Sequence, residues 1–239
     1  MTDAVTGAAR RAQLAASLTE VRERIAHACT AAGRPPDAAA LVAVTKTYPA
    51  SDVVLLAGLG VTDVGESRDQ EAAPKADEAR AAGATPRWHF IGQLQRNKAK
   101  SVAGYADVVE SVDSQRLVTA LDRAAAGRPE PIEILIQVSI DEDPTRGGAA
   151  GDDLWRISDA VADATALRLG GVMAVAPRDW DPDRAFERLA VLSGQLVERH
   201  PAATAISAGM SGDLEAAVRH GATHVRIGTS LLGMRNLLR

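Results

Sequence analysis

Apolar residues fall into two periods along this chain, and the two periods alternate. The first segment keeps the period of a helix. Leu14, Leu18, Val21, Ile25 and Cys29 recur at spacings of four and three, with Arg22, Glu23 and Arg24 between them. One stripe is therefore apolar and the rest is charged. The segment closes at "AAGRPPD", where Gly33 can end a helix and Pro35-Pro36 prevent its restart.

From residue 40 onward, short runs rich in β-formers take over: "ALVAV", "VTDVG", "WHFIG", "DVVESV", "IEILIQVS", "LRLGGVMAV", "TAISA" and "THVRIG". Helix-like stretches separate them. "SDVVLLAGLG" opens on Ser51-Asp52 as a cap and closes on glycine. "DSQRLVTALDRAAAG" sets Leu117 and Leu121 one turn apart. "DPDRAFERLAVLSGQLVERHP" offers Asp181 as N-cap, Pro182 at the first helical position and Pro201 past the end. "GDLEAAVRHG" stops at Gly221. Several strand runs are apolar on both faces, as parallel strands covered by helices should be.

Eight strands alternating with helices is the count of a closed (β/α)₈ TIM barrel, here with an extra N-terminal helix. A doubly wound open sheet would alternate in the same way, but no G-x-G-x-x-G turn follows the first strand. No linker-like boundary interrupts the pattern. It predicts a single α/β domain over residues 1–239, with the extra helix within 1–35 and the barrel within 40–233.

Composition agrees with this and excludes several classes of function. A length of 239 residues suits one barrel, and 46% hydrophobic residues supply its core. The net charge of -4 creates no basic field for nucleic acid or anionic lipid. No apolar run reaches about 18 residues, and "MTDAVTGAARR" has no signal-peptide core. The expectation is a cytoplasmic protein with neither a membrane nor a nucleic-acid partner. Cys29, the single cysteine, supports no disulfide framework or zinc site and reads as a small buried apolar side chain. The acidic run "SIDEDP" lacks the spacing of a calcium loop, so no metal is expected.

Barrels of this kind gather their chemistry at the C-terminal ends of the strands, often with a phosphate site after strands seven and eight. Lys46 ends the first strand run, and strand alternation sets Val42, Val44 and Lys46 on one face. Burial there would depress its pKa and leave an amine able to attack a carbonyl. Ser207, Gly209, Met210, Ser211 and Gly212 follow strand seven, directly before a helix. Ser211 serves there either as a plain helix cap or as part of an anion cradle. Arg226 lies on strand eight, and Gly228-Thr229-Ser230 opens the last short helix as a second cradle. Closure sets strand eight beside strand one. A ligand with an aldehyde at one end and a phosphate at the other, such as pyridoxal 5'-phosphate, would satisfy both places.

These residues resemble the pyridoxal phosphate homeostasis proteins, a single-barrel family similar to the N-terminal barrel of alanine racemase. The resemblance rests on "LVAVTKTYP", "VGESRDQEAAPK", "WHFIGQLQRNKAK", "GGVMAV" and "SAGMSGDLEAAVRHGATHVRIGTSLLG", in that order from residue 41 to 233. It implies Lys46 as the lysine of the internal aldimine and Ser211, Gly228 and Thr229 at the phosphate, with Ser207 and Met210 in the same loop. It also implies Arg226 facing the pyridine nitrogen. A guanidinium is always protonated, so that nitrogen would stay unprotonated and serve as a weaker electron sink. Two positions depart from the family's usual pattern: Ser67 stands for an asparagine after strand two, and Arg146 for a lysine after strand five.

Three functions compete on these residues. The first is a monomeric carrier that holds pyridoxal phosphate for other enzymes' apo-forms. The second is an amino-acid racemase or related enzyme on the same cofactor. The third is an aldolase-like barrel with Lys46 as its Schiff-base lysine and Glu66 beside it. Two-base racemisation needs an acid/base opposite the lysine. None is evident, since Tyr48 is the only tyrosine near that face and the chain ends soon after the last helix. Holding the cofactor is therefore preferred to turning over a substrate. His89 is expected to satisfy a local hydrogen bond within strand three, and Lys98 and Lys100 to be solvated.

Overall fold

The computed structural model describes residues 2–143 and 145–233. Eight parallel strands close into a barrel in sequence order. They are β1 (Ala40–Val44), β2 (Asp63–Glu66), β3 (Arg87–Phe90), β4 (Val108–Val112), β5 (Ile132–Gln137), β6 (Leu167–Met173), β7 (Ala205–Ser207) and β8 (His224–Ile227). Each expected run overlaps one of them, with β2 ending one residue past its run at Glu66 and β3 starting one residue before its run at Arg87. Closure is direct, with Val42 opposite Arg226 and Ala43 opposite Ile227.

The extra helix α1 spans Thr2–Ala31. Its apolar stripe is buried, with Leu14 and Cys29 both 0% exposed. Gly33 stops it in the left-handed region at φ 70, and the Arg34 amide returns to the Cys29 carbonyl at 2.9 Å. The surrounding helices are α2 (Ala50–Ala57), α3 (Asp69–Ala81), α4 (Ala99–Val102), α5 (Gln115–Ala125), α6 (Asp153–Ala162), α7 (Pro182–Arg199), α8 (Leu214–Arg219) and α9 (Thr229–Leu232). A 3-10 turn at Arg96–Lys98 precedes α4. Among the described residues no helix is long and apolar enough to cross a membrane.

Two caps can be judged against the sequence. Asp181 caps α7 as expected, accepting from the Arg184 amide. Ser51 and Asp52 do not cap α2. That helix begins at Ala50 with Pro49 at the cap, its φ of -73 held by the proline ring and no side chain capping the first amides. Asp52 turns outward from the strand layer instead and binds Arg10 of α1 at 2.6 Å.

Most of the core lies between the strands and the helices, as alternation on helix-covered parallel strands requires. Inside the barrel a small apolar cluster of Val108, Leu135 and Met173 fills part of the interior. A file of buried charged residues fills another part, and it leads to the candidate site.

Candidate functional site

The ends of β7, β8 and β1 are brought together by pairing and packing. The Arg226 amide donates to the Gly209 carbonyl at 2.9 Å, which ties the loop after β7 to the next strand. Gly228, just past β8, lies against Val44, where an added Cβ would stand 3.4 Å from the Val44 carbonyl oxygen. Val44 is two residues before Lys46. The predicted Lys46, Ser211, Arg226, Gly228 and Thr229 therefore share one corner of the rim, although Lys46 is distant from the others in sequence.

Lys46 differs from expectation in its surroundings. It lies past the end of β1 and is exposed rather than buried. Burial is therefore not what prepares this amine. The turn that carries it is held instead on both sides. The Thr45 hydroxyl donates to Glu66 at 2.7 Å, and the Lys75 ammonium donates to the Thr45 carbonyl at 2.8 Å. The Thr47 amide, in the left-handed region at φ 70, donates to Glu71 at 3.1 Å. Tyr48 reaches the Gly233 carbonyl at 2.5 Å.

The two loops after β7 and β8 form a cup of free amides. Among the described residues, the amides of Ser211, Gly212, Gly228, Thr229 and Ser230 donate to no acceptor. Ser211 and Gly228 are half-buried and Gly212, Thr229 and Ser230 are exposed, so these donors face solvent at the rim, and amides converging there make a place for an anion. Two expectations change in detail. Ser211 is not the cap of α8, because that helix starts at Leu214 with Asp213 before it. The Met210 amide is taken by the Asp213 carboxylate at 2.6 Å, so Met210 offers the cup only its exposed side chain.

Arg226 is 5% exposed and is gripped from two sides. Its Nη1 donates to Ser207 Oγ at 2.7 Å and its Nη2 to the Ala174 carbonyl at 2.8 Å. A guanidinium has five N–H donors, so three remain for a ligand. The Ser207 hydroxyl in turn donates to Glu110 Oε2 at 2.6 Å. Ser207 is fully buried and both of its hydrogen-bonding roles are used, so it acts through Arg226.

The file continues across the barrel. Glu110 Oε1 meets His89 Nδ1 at 2.6 Å, and His89 Nε2 meets Asp63 at 2.9 Å. Burial alone would lower the His89 pKa, but the bonds to Asp63 and Glu110 outweigh it and push it up to about 9. Burial would raise Glu110, yet His89 and Arg226 pull it down to about 2. Burial pushes the Arg226 guanidinium below its ordinary value, and Glu110 opposes that shift. Two buried cations are thus matched by carboxylates, which low-dielectric surroundings demand. His89 behaves as expected: both ring nitrogens are occupied. The sequence reading missed Glu110, which gave no local signal beyond a carboxylate within an apolar strand run.

Glu66 belongs to a different layer. Asp63 and Gly65 face the interior, so alternation turns Glu66 outward against α3. There Lys75 binds it at 2.6 Å, with side chains 7% and 0% exposed. Oε1 of the carboxylate that the aldolase reading would use beside Lys46 is committed to Lys75 and Thr45, while Oε2 is buried without a partner among the described residues. The two departures from the family pattern are placed as well. Ser67 is half-buried just past β2. Arg146 joins Asp141 at 2.7 Å to the Val175 carbonyl at 3.0 Å, bridging the ends of β5 and β6.

The chain and its barrel have known counterparts. A family model described as alanine racemase, N-terminal domain, matches residues 16–236. Among curated proteins, the pyridoxal phosphate homeostasis protein of Mycobacterium tuberculosis (strain ATCC 25618 / H37Rv) is 44% identical over 245 residues, covering 95% of each chain. The protein of that name from Escherichia coli (strain K12) is 37% identical over 227 residues, covering 93% of this chain and 97% of its own. Among solved structures, PipY of Synechococcus elongatus PCC7942 with PLP bound superposes with a TM-score of 0.80 at 30% identity, covering 92% of this chain and 100% of that one. The chain belongs to the pyridoxal phosphate homeostasis protein family.

Proposed function

We propose that this chain holds pyridoxal 5'-phosphate through Lys46 and acts as an intracellular reserve and carrier of it for the apo-forms of other enzymes. The observation that carries the reading is the cup of unpartnered amides beside both Lys46 and the held Arg226. When bound, this cofactor supplies an aldehyde that condenses with a primary amine and a pyridine ring that withdraws electrons. Lys46 supplies the amine, and its exposed position leaves it open to exchange. The amides of Ser211, Gly212, Gly228 and Thr229 would hold the phosphate, as donors to an anion. Arg226 would hold the ring nitrogen as an acceptor, because a guanidinium donates and does not release its proton. That pairing weakens the ring as an electron sink and favours storage over turnover.

The test is spectroscopic. Pyridoxal 5'-phosphate added to the purified protein should give a visible band, and borohydride should then fix the cofactor's mass on the peptide containing Lys46. Lys46→Ala should lose both. A protein that takes up no cofactor, or that is labelled at another lysine, overturns the reading. Incubation with L-alanine in heavy water should give no more exchange at Cα than the free cofactor gives; faster exchange would make the protein an enzyme of the racemase type.

A further inference from the structure

Three arginines of the N-terminal segment reach the two loop–helix units that carry the cup. Arg24 contacts the start of α8. Its Nε and Nη2 bind the two oxygens of Glu215 at 2.6 and 2.7 Å, and its Nη1 donates to the Ser211 carbonyl at 2.9 Å. Arg34 contacts the end of α8, donating to the carbonyls of Val218 at 2.7 Å and Ala222 at 2.9 Å. Arg10 contacts the end of α9 through the Leu232 carbonyl at 3.2 Å and is held by Asp52. Beneath them Val21, Ile25 and Cys29 of α1 are buried in the core.

We propose that α1 is a positioning element for the phosphate cup, with Arg24 as its working residue. The Ser211 carbonyl and the Gly212 N–H belong to one planar trans peptide, so they point in opposite directions. Drawing the carbonyl toward α1 aims the Gly212 amide away from α1 and toward the cup. A cation on the carbonyl also polarises the peptide and makes its N–H a stronger donor. Glu215 fixes the guanidinium in a bidentate grip, so the direction is set before any ligand arrives. Arg34 and Arg10 hold the far ends of α8 and α9, which fixes the separation of the two free-amide loops. Arg24 touches no ligand in this scheme; it acts through the Gly212 amide.

This inference rests on reading the cup as a phosphate holder, and the experiment separates the two. Pyridoxal 5'-phosphate and pyridoxal, which lacks the phosphate, are titrated against wild type, Arg24→Ala, Arg24→Lys and Glu215→Gln. Removing Arg24 should weaken pyridoxal 5'-phosphate about tenfold, the size of one charge-assisted hydrogen bond. The affinity for pyridoxal should not change. Glu215→Gln should fall between, and Arg24→Lys should recover part of the loss. Stabilisation of the wild type by inorganic phosphate alone, read as a rise in Tm, should shrink in Arg24→Ala. An Arg24→Ala protein with unchanged affinity for pyridoxal 5'-phosphate overturns the proposal. Equal weakening toward both compounds also overturns it, since that marks general loosening of the barrel. A wild type that takes up neither compound sinks the carrier reading, and the inorganic phosphate series then decides the role of Arg24 on its own.

Discussion

The Ser207 hydroxyl accepts a hydrogen bond from Arg226 at 2.7 Å and passes its own proton toward Glu110 at 2.6 Å. One small side chain thereby joins the buried cation of the candidate site to the carboxylate that balances it. Ser207→Ala removes both bonds without changing the backbone. Arg226 and Glu110 would remain 3.6 Å apart, close enough to keep part of their attraction. The expected cost is about 1–3 kcal/mol, the penalty for leaving buried polar atoms unpaired. Urea denaturation of the variant and wild type measures it. An unchanged midpoint would mean that the two charges close on each other without help.

The barrel was legible because it depends on period. Eight apolar runs separated by helical stretches need no long-range information, and a strand-end rule then located Lys46 and the loops after β7 and β8. The buried charges were not legible in the same way. Ser207 and Glu110 are 97 residues apart, and His89 is 21 residues from Glu110 and 26 from Asp63. Pairing of β3 with β2 and β4 makes His89 a neighbour of Asp63 and Glu110, whereas only closure of the barrel brings Ser207 across to Glu110. Lys75 was hidden in a helix whose charged residues look solvated, and its burial depends on Glu66 facing α3. The expectation of a buried Lys46 failed for a related reason: alternation gives the face of a residue, but not where the strand ends and solvent begins. Arg24 read only as the charged side of an amphipathic stripe.

His89 gives the fold a pH dependence. It is faced by Asp63 from β2 and Glu110 from β4, and the ring of His224 on β8 lies 6.1 Å away between centroids. Burial, then the charge of His89, lowers the pKa of His224. The folded value of about 9 for His89 lies above its ordinary 6.5. Its contribution is therefore complete below about pH 6.5 and fades as pH rises through about 9. Glu110 has the opposite sign: with a folded value of about 2 against an ordinary 4.5, its contribution is complete above about pH 4.5 and fades as pH falls through about 2. Both are complete between about pH 4.5 and 6.5. Wild-type Tm should therefore decline from pH 6.5 to 9.5, and His89→Gln should flatten that limb. Equal slopes for the two proteins would show that His89 is neutral in the fold.

The pair of Lys75 and Glu66 supports the lysine turn from behind. Its distance is 2.6 Å, and Lys75 also binds the Thr45 carbonyl next to Lys46. Lys75→Met should leave a buried carboxylate without its cation and cost about 3–5 kcal/mol. The double variant Lys75→Met with Glu66→Gln should recover much of that loss, because no charge then remains buried alone. Chemical denaturation of these two variants, of Glu66→Gln alone and of the wild type gives the coupling. If the single and double variants are equally unstable, the pair acts through packing and not through charge.

Gly209 makes the sharpest demand on the backbone near the cup. It lies in the left-handed region at φ 90, and an added Cβ would stand 2.7 Å from the Ala217 Cβ. Its carbonyl also accepts from the Arg226 amide at 2.9 Å. Gly209→Ala therefore combines conformational strain with a clash against α8. The strain alone is worth about 1–3 kcal/mol. Relief of the clash must move α8 or the loop, which carries the Ser211 and Gly212 amides with it. The variant should consequently lose affinity for pyridoxal 5'-phosphate as well as stability, while pyridoxal still reacts at Lys46. Urea denaturation and the two titrations measure these separately. A variant that is less stable but binds pyridoxal 5'-phosphate as tightly as wild type would show that the loop after β7 contributes nothing to the phosphate cup.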